Sequence, residues 1–147
     1  HLSIRRQRQM CIRDRAMAML LLNLLVSFLL LVRRIRAMRD GLNPGYFRFN
    51  RGAKLPDYLL SAEQHYQNLH EMPLVFFVLV VLVYLAAEVD LFMVMLAWAY
   101  VIFRLVHSYI HLGVNQTRWR KNVFVASYGV LALMWGGLLV QMVSAAN

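Results

Sequence analysis

Cysteine and acidic residues are scarce in this chain. Cys11 is its one cysteine, which excludes an internal disulfide and any metal site built from several cysteines. Seven acidic residues stand against 16 basic ones, for a formal net charge of +9. No internal repeat or low-complexity segment interrupts the 147 residues, a length that fits one domain. Apolar residues make up 61% of the chain, against roughly 45–50% in a soluble domain, so the composition indicates a membrane protein.

The basic residues lie between the apolar runs rather than along one face of a soluble domain. One cluster follows the first run and consists of Arg33, Arg34, Arg36 and Arg39; a second, with two arginines and a lysine, spans residues 118–121. Lysine and arginine gather at such positions because of membrane topology. We therefore expect no nucleic-acid partner.

Residues 1–15 match nothing that follows them. They contain five arginines and no apolar periodicity, and they resemble translated sequencing-adapter read-through. We expect this segment to be a non-native leader, with a basic tail as the alternative. The single membrane domain is then residues 16–147, and Cys11 lies outside it.

Four apolar segments predict four membrane spans, at about residues 16–35, 61–87, 91–112 and 123–143. Roughly 17–25 apolar residues are needed to cross a bilayer as a helix. Short connections between the spans predict an all-α, four-transmembrane-helix bundle of up-down-up-down topology. Pro73 lies inside the second span, where it predicts a kink.

The charge distribution also predicts an orientation. The two basic clusters follow spans one and three, so they lie on one membrane face, and the acidic turn at residues 88–90 lies on the other. The basic face is then cytoplasmic, with both termini outside. The five arginines of residues 1–15 would lie on the wrong side, which supports a foreign origin for them.

Polar residues converge near the basic face. Asn68 and Glu71 are three apart on the second span, and Arg104, His107 and His111 form one stripe on the third. With Arg120, at the start of the fourth span, they predict one polar layer. A charge such as Arg104 within a bilayer costs roughly 2.5–3.5 kcal/mol. Glu71 is the acid placed to neutralise it, so we predict a Glu71–Arg104 pair within one chain or between subunits.

The same residues admit plainer interpretations. The pair could serve structure alone, the histidines could be packing residues, and Arg120 could face phosphate headgroups. His107 and His111, four apart, could bind one metal ion, but no third ligand accompanies them on that helix, so we expect no metal.

Together these motifs resemble the MAPEG family, the membrane-associated proteins in eicosanoid and glutathione metabolism. The resemblance rests on Asn68-x-x-Glu71 with Pro73, on Arg104-x-x-His107, and on Arg120 after a basic loop. It covers roughly residues 19–143 and is greatest to the short bacterial members, which implies a bacterial inner membrane. Family members of known structure are trimers of four-helix subunits, and several bind glutathione between subunits near the cytoplasmic face.

The resemblance implies roles for individual residues. Asn68 and Glu71 would hold the polar groups of glutathione, His107 would contact it, and Arg120 would stabilise its thiolate. Arg104 and His111 complete the predicted substrate-binding set. The implied activity is a glutathione-dependent transferase or peroxidase acting on apolar electrophiles or lipid peroxides, with glutathione as co-substrate.

Three departures from the family's pattern favour an alternative to this activity. Gln64 and Gln67 stand where the prostaglandin E synthase type has arginines, and His111 stands where it has a tyrosine. The alternative is a non-catalytic protein of the same fold that binds membrane lipid or an apolar small molecule, or that serves a structural role.

Overall fold

The computed structural model describes residues 2–49, 54–86 and 89–146, and these contain helices and connections but no β-strand. The helices are α1 (Leu2–Arg39), α2 (Tyr46–Phe49), α3 (Asp57–Ala86), α4 (Leu91–Leu112) and α5 (Thr117–Ala146). All but the short α2 are long and apolar enough to cross a membrane. The prediction of an all-α fold with four membrane helices is confirmed.

The helices extend beyond some of the predicted spans. The third predicted span coincides with α4, whereas α3 begins at Asp57 and α5 begins at Thr117, four and six residues before the predicted starts. Apolar residues mark the part of a helix that suits the bilayer, but backbone hydrogen bonding continues through the polar turns at its ends. Position 87, the predicted end of the second span, lies outside the described residues.

The suspected leader belongs to α1 in the structure. The helix continues without interruption from residue 2 through residue 15. Ile12 is fully buried in the main apolar core, and the Arg15 guanidinium lies 4.7 Å from the ring centre of Trp98. The non-native origin of this segment stays a prediction.

Contacts between neighbouring helices establish the up-down-up-down arrangement. The rings of Phe76 and Tyr100 stack with their centres 4.5 Å apart, while His65 approaches His111 near the other end of α3 and α4. Residue numbers therefore rise on α3 as they fall on α4, so these helices are antiparallel. Arg34 and Glu63 form a 3.0 Å ion pair that joins the end of α1 to the start of α3.

Both basic clusters lie at the same end of this bundle, as predicted. Arg33, near the end of α1, donates to the Tyr58 carbonyl at 2.6 Å and to the Leu112 carbonyl, at the end of α4, at 3.3 Å. The chain then leaves α1 through Gly41, whose φ of 101° suits glycine. At the opposite end, Asp90 caps α4 by accepting from the Met93 N–H. Glu88 of the predicted acidic turn lies outside the described residues.

Apolar side chains cover the outside of the helices as well as the core. Examples more than half exposed come from each long helix: Leu25, Phe28, Leu74, Leu85, Met95, Leu133 and Val140. Such a surface would be unfavourable in water and is favourable against lipid tails. The protein is an integral membrane protein whose outer surface contacts lipid.

Candidate functional site

A cavity of about 250 Å³ lies at the basic end of the bundle, where α3, α4 and α5 meet. The residues that line it are Asn68, His107, Thr117, Arg120, Lys121 and Phe124. Three of them, Asn68, His107 and Arg120, belong to the six-residue layer predicted from the sequence. The other three come from the first turns of α5, whose polar residues looked like an ordinary basic loop.

Arg120 is held in place by the loop that precedes α5. Its Nη1 donates to the Asn115 side-chain oxygen at 2.7 Å, and its backbone N–H donates to the Gln116 carbonyl at 3.0 Å. Asn115 has φ 51°, a left-handed conformation that asparagine tolerates better than most residues. The Arg120 carbonyl accepts from His107 Nδ1 at 3.3 Å. The loop and α4 therefore both fix the position of Arg120.

Arg104 lies behind the cavity wall and is completely buried. Its Nη2 donates to the Asn68 backbone carbonyl at 3.0 Å, whereas Nε and Nη1 have no partner among the described residues. The guanidinium carbon lies 5.7 Å from the ring centre of Phe124. Arg104 thus joins α4 to α3 beside Asn68 and brings a positive charge to the site.

The predicted Glu71–Arg104 pair does not form within the chain. Glu71 is exposed, and its carboxylate accepts from Gln67 Nε2 at 3.0 Å. The apolar side of α3 determines where Glu71 points, because fully buried Leu69 faces the core. Glu71 follows Leu69 by two residues, about 200° around the helix, and so points away from the core. Between subunits the pair stays a prediction.

His111 does not line the cavity but belongs to a buried histidine cluster, defined here as His65, His107 and His111. The exposed fractions of these side chains are 0%, 2% and 1%. One ring nitrogen from each lies within 4.8 Å of one from each of the others. Sequence reasoning missed His65, which comes from α3. Its position one turn before Asn68 was the available signal.

The charge of the cavity is positive. Arg120 and Lys121 contribute cations to its wall, and no carboxylate appears among the described residues that line it. Asn68 and Thr117 add neutral hydrogen-bonding groups. This combination suits an anionic ligand that also carries amide groups.

An apolar cleft continues from the cavity along the seam between α3 and α5. It has a volume of about 140 Å³ and is lined by Met72, Val75, Tyr128, Leu131, Ala132 and Trp135. Met72 and Tyr128 each follow a cavity residue, Asn68 and Phe124, by four positions. The cleft is therefore one helical turn deeper on the same faces. The polar cavity and the apolar cleft therefore lie next to each other.

Residues 16–140 match the model of the MAPEG family. No curated protein matched the chain. No solved structure matched it either.

Proposed function

Because the chain belongs to the MAPEG family, we propose that it is a glutathione-dependent transferase or peroxidase acting on apolar electrophiles or lipid peroxides. One observation carries the proposal: a cationic cavity at the basic end of the bundle adjoins an apolar cleft between membrane helices. A water-soluble thiol and a lipid-soluble co-substrate need two such compartments side by side.

The lining of the cavity fits glutathione, an anionic tripeptide with two carboxylates, two amides and a thiol. Lys121 and Thr117 lie at the exposed rim, where they can bind a carboxylate. Asn68 can bind an amide. His107 Nε2 is buried in the wall and has no partner among the described residues. Glu71 and His111 do not line the cavity of a single chain, so their predicted contacts require a neighbouring subunit or a rearrangement.

Arg120 is the residue we assign to the chemistry. Glutathione supplies the nucleophilic thiol. A guanidinium beside that thiol favours the thiolate, which is the reactive form, and lowers its pKa. The bond from Arg120 Nη1 to Asn115 holds the guanidinium at the rim before the ligand arrives. The α3–α5 cleft admits the apolar co-substrate from the bilayer and keeps water away from it.

Conjugation of a chromogenic aryl halide by detergent-purified protein tests this assignment. We expect Arg120→Ala to lower kcat by about 100- to 1,000-fold, the loss seen when a preorganised electrostatic donor is removed. Arg118→Ala is the matched control, because Arg118 is exposed on the same turn of α5 and does not line the cavity. Unchanged turnover in Arg120→Ala would exclude its role. Absence of glutathione binding at millimolar concentration in calorimetry would exclude the whole activity.

The assembly and orientation that accompany this function are a homotrimer in a bacterial inner membrane with the basic end cytoplasmic. The apolar outer surface and the exposed Glu71 beside the cavity leave room for a neighbouring subunit to complete the site. Light scattering of the detergent complex measures the number of subunits, and a monomer would contradict the trimer. Alkaline phosphatase fused after α5 is expected to be active, since the C-terminus would then lie outside.

A second candidate is the non-catalytic binding of a membrane lipid or an apolar small molecule. A cleft of about 420 Å³ between α1 and α4 supports it, with a mostly apolar lining that includes Leu22, Val26 and Leu105. Mass spectrometry would then find a lipid that co-purifies with the protein in stoichiometric amount. Thiol conjugation by the same preparation would argue against this alternative.

A further inference from the structure

The buried histidine cluster has a geometry that glutathione chemistry does not require. His65 comes from α3, while His107 and His111 come from successive turns of α4. His65 Nδ1 and His111 Nδ1 are 3.1 Å apart. Tetrahedral zinc with nitrogen ligands at about 2.0–2.1 Å places those nitrogens about 3.3 Å apart. The Nδ1 atoms of His65 and His111 are therefore already close to the spacing of two zinc ligands.

Hydrogen bonds fix which nitrogen His65 presents to the cluster. Ser108 Oγ donates its proton to the Arg104 carbonyl at 2.8 Å, so it can only accept from the histidine. His65 Nε2, 2.9 Å from Ser108 Oγ, must therefore carry the proton of that bond. The free lone pair of the neutral imidazole is then on Nδ1, the atom that faces His111.

The same argument applies to His107. Its Nδ1 lies 3.3 Å from the Arg120 carbonyl, which can only accept, so Nδ1 carries the proton. Nε2 keeps its lone pair, is buried and has no partner among the described residues. A histidine that donates one N–H to a carbonyl and directs its other nitrogen inward has the arrangement typical of a metal ligand.

We propose that His65, His107 and His111 form a zinc site. One ring nitrogen from each histidine lies within 4.8 Å of one from each of the others, so binding requires side-chain shifts of up to about 1.5 Å, the difference between 4.8 and about 3.3 Å. His111 meets His65 Nδ1 by moving its own proton to Nε2. Three histidines and an open fourth position suit Zn²⁺ with a water or small anion as the remaining ligand.

Arg104 bears on the identity of that fourth ligand. A divalent cation near a buried guanidinium is unfavourable unless an anion lies between them. Arg104 and His107 both lie close to the Phe124 ring, with the guanidinium carbon and the imidazole centre 5.7 and 5.6 Å from its centre. Arg104 Nε and Nη1 have no partner among the described residues and can donate to such an anion. We therefore assign the fourth position to hydroxide or a small inorganic anion.

The test uses metal alone and does not depend on glutathione activity. Protein purified without a histidine tag and stripped with chelator is titrated with Co²⁺ and then Zn²⁺. We expect intense visible bands of tetrahedral Co²⁺, saturating at one ion per chain and displaced by Zn²⁺. Absence of these bands and of saturable Zn²⁺ binding in the wild type would overturn the site.

Substitutions locate the ion. His65→Ala should abolish binding, while His70→Ala, which alters an exposed histidine on the same helix, should retain it. Equal binding by the two variants, or equal loss, would overturn the assignment. Size-exclusion chromatography shows whether each variant folds. If His65→Ala fails that check, Ser108→Ala decides, because loss of a hydrogen bond to a ligand weakens metal affinity by about 10- to 100-fold. Unchanged affinity there would exclude His65 as a ligand.

Discussion

Replacing Arg104 with methionine is expected to leave the protein about as stable as the wild type, or slightly more stable. Arg104 is completely buried, and its guanidinium has one hydrogen bond among the described residues, from Nη2 to the Asn68 carbonyl. Methionine keeps much of the apolar stem and removes the charge. The expected change in stability is therefore the difference between the cost of the buried charge and the benefit of that bond.

The cost of the buried charge and the benefit of its hydrogen bond nearly cancel, and the difference slightly favours the variant. Burying an arginine at membrane depth costs roughly 2.5–3.5 kcal/mol, and a hydrogen bond from a charged group returns about 1.5–3 kcal/mol. Arg104→Met should accordingly change the free energy of unfolding by between about −0.5 and +2 kcal/mol. Unfolding in mixed micelles with rising sodium dodecyl sulfate, in chelator and without glutathione, measures it.

A large loss of stability would refute this reasoning. If Arg104→Met lowers the free energy of unfolding by more than about 2 kcal/mol, the guanidinium has a partner that one chain does not provide. A double-mutant cycle with Glu71→Gln identifies the partner. Coupling below about 0.5 kcal/mol agrees with the exposed position of Glu71, and coupling of about 0.5–3 kcal/mol would establish the ion pair between subunits.

Three further predictions, two of them with a control variant, follow from the packing and the helix ends. Phe76→Ala removes the ring stacked on Tyr100 and should cost about 3–5 kcal/mol in the same unfolding assay, whereas lipid-facing Val78→Ala should cost less than about 0.5 kcal/mol; similar losses would contradict the core assignment. Asp90→Ala removes the α4 cap and should cost about 0.5–2 kcal/mol, with Asp90→Asn close to wild type. Arg34→Ala breaks the partly exposed pair with Glu63 and should cost less than about 1 kcal/mol; a larger loss would show a buried role.

The membrane helices and the shared basic end could be predicted from the sequence because both follow from the bilayer. A spanning segment must satisfy its own backbone hydrogen bonds and carry an apolar surface, so residue type alone indicates it. Arginine clusters at alternate connections then place α1, α3, α4 and α5 in alternating directions. The same reasoning brought Asn68, His107 and Arg120 to one level, where they line the cavity.

The rotation of each helix about its axis could not be predicted from the depth of its polar residues in the membrane. Asn68 and Glu71 lie at a similar depth in the membrane. With Leu69 buried in the core, Asn68 lines the cavity and Glu71 is exposed at the surface. The histidine cluster also depends on how α3 and α4 are rotated about their axes, since His65 and His111 are 46 residues apart in the chain and no local pattern relates them. The sequence by itself therefore determined the apolar segment of each membrane helix and the level of its polar groups. The tertiary structure decided which groups meet, because packing of the apolar core fixes the direction in which every helix faces.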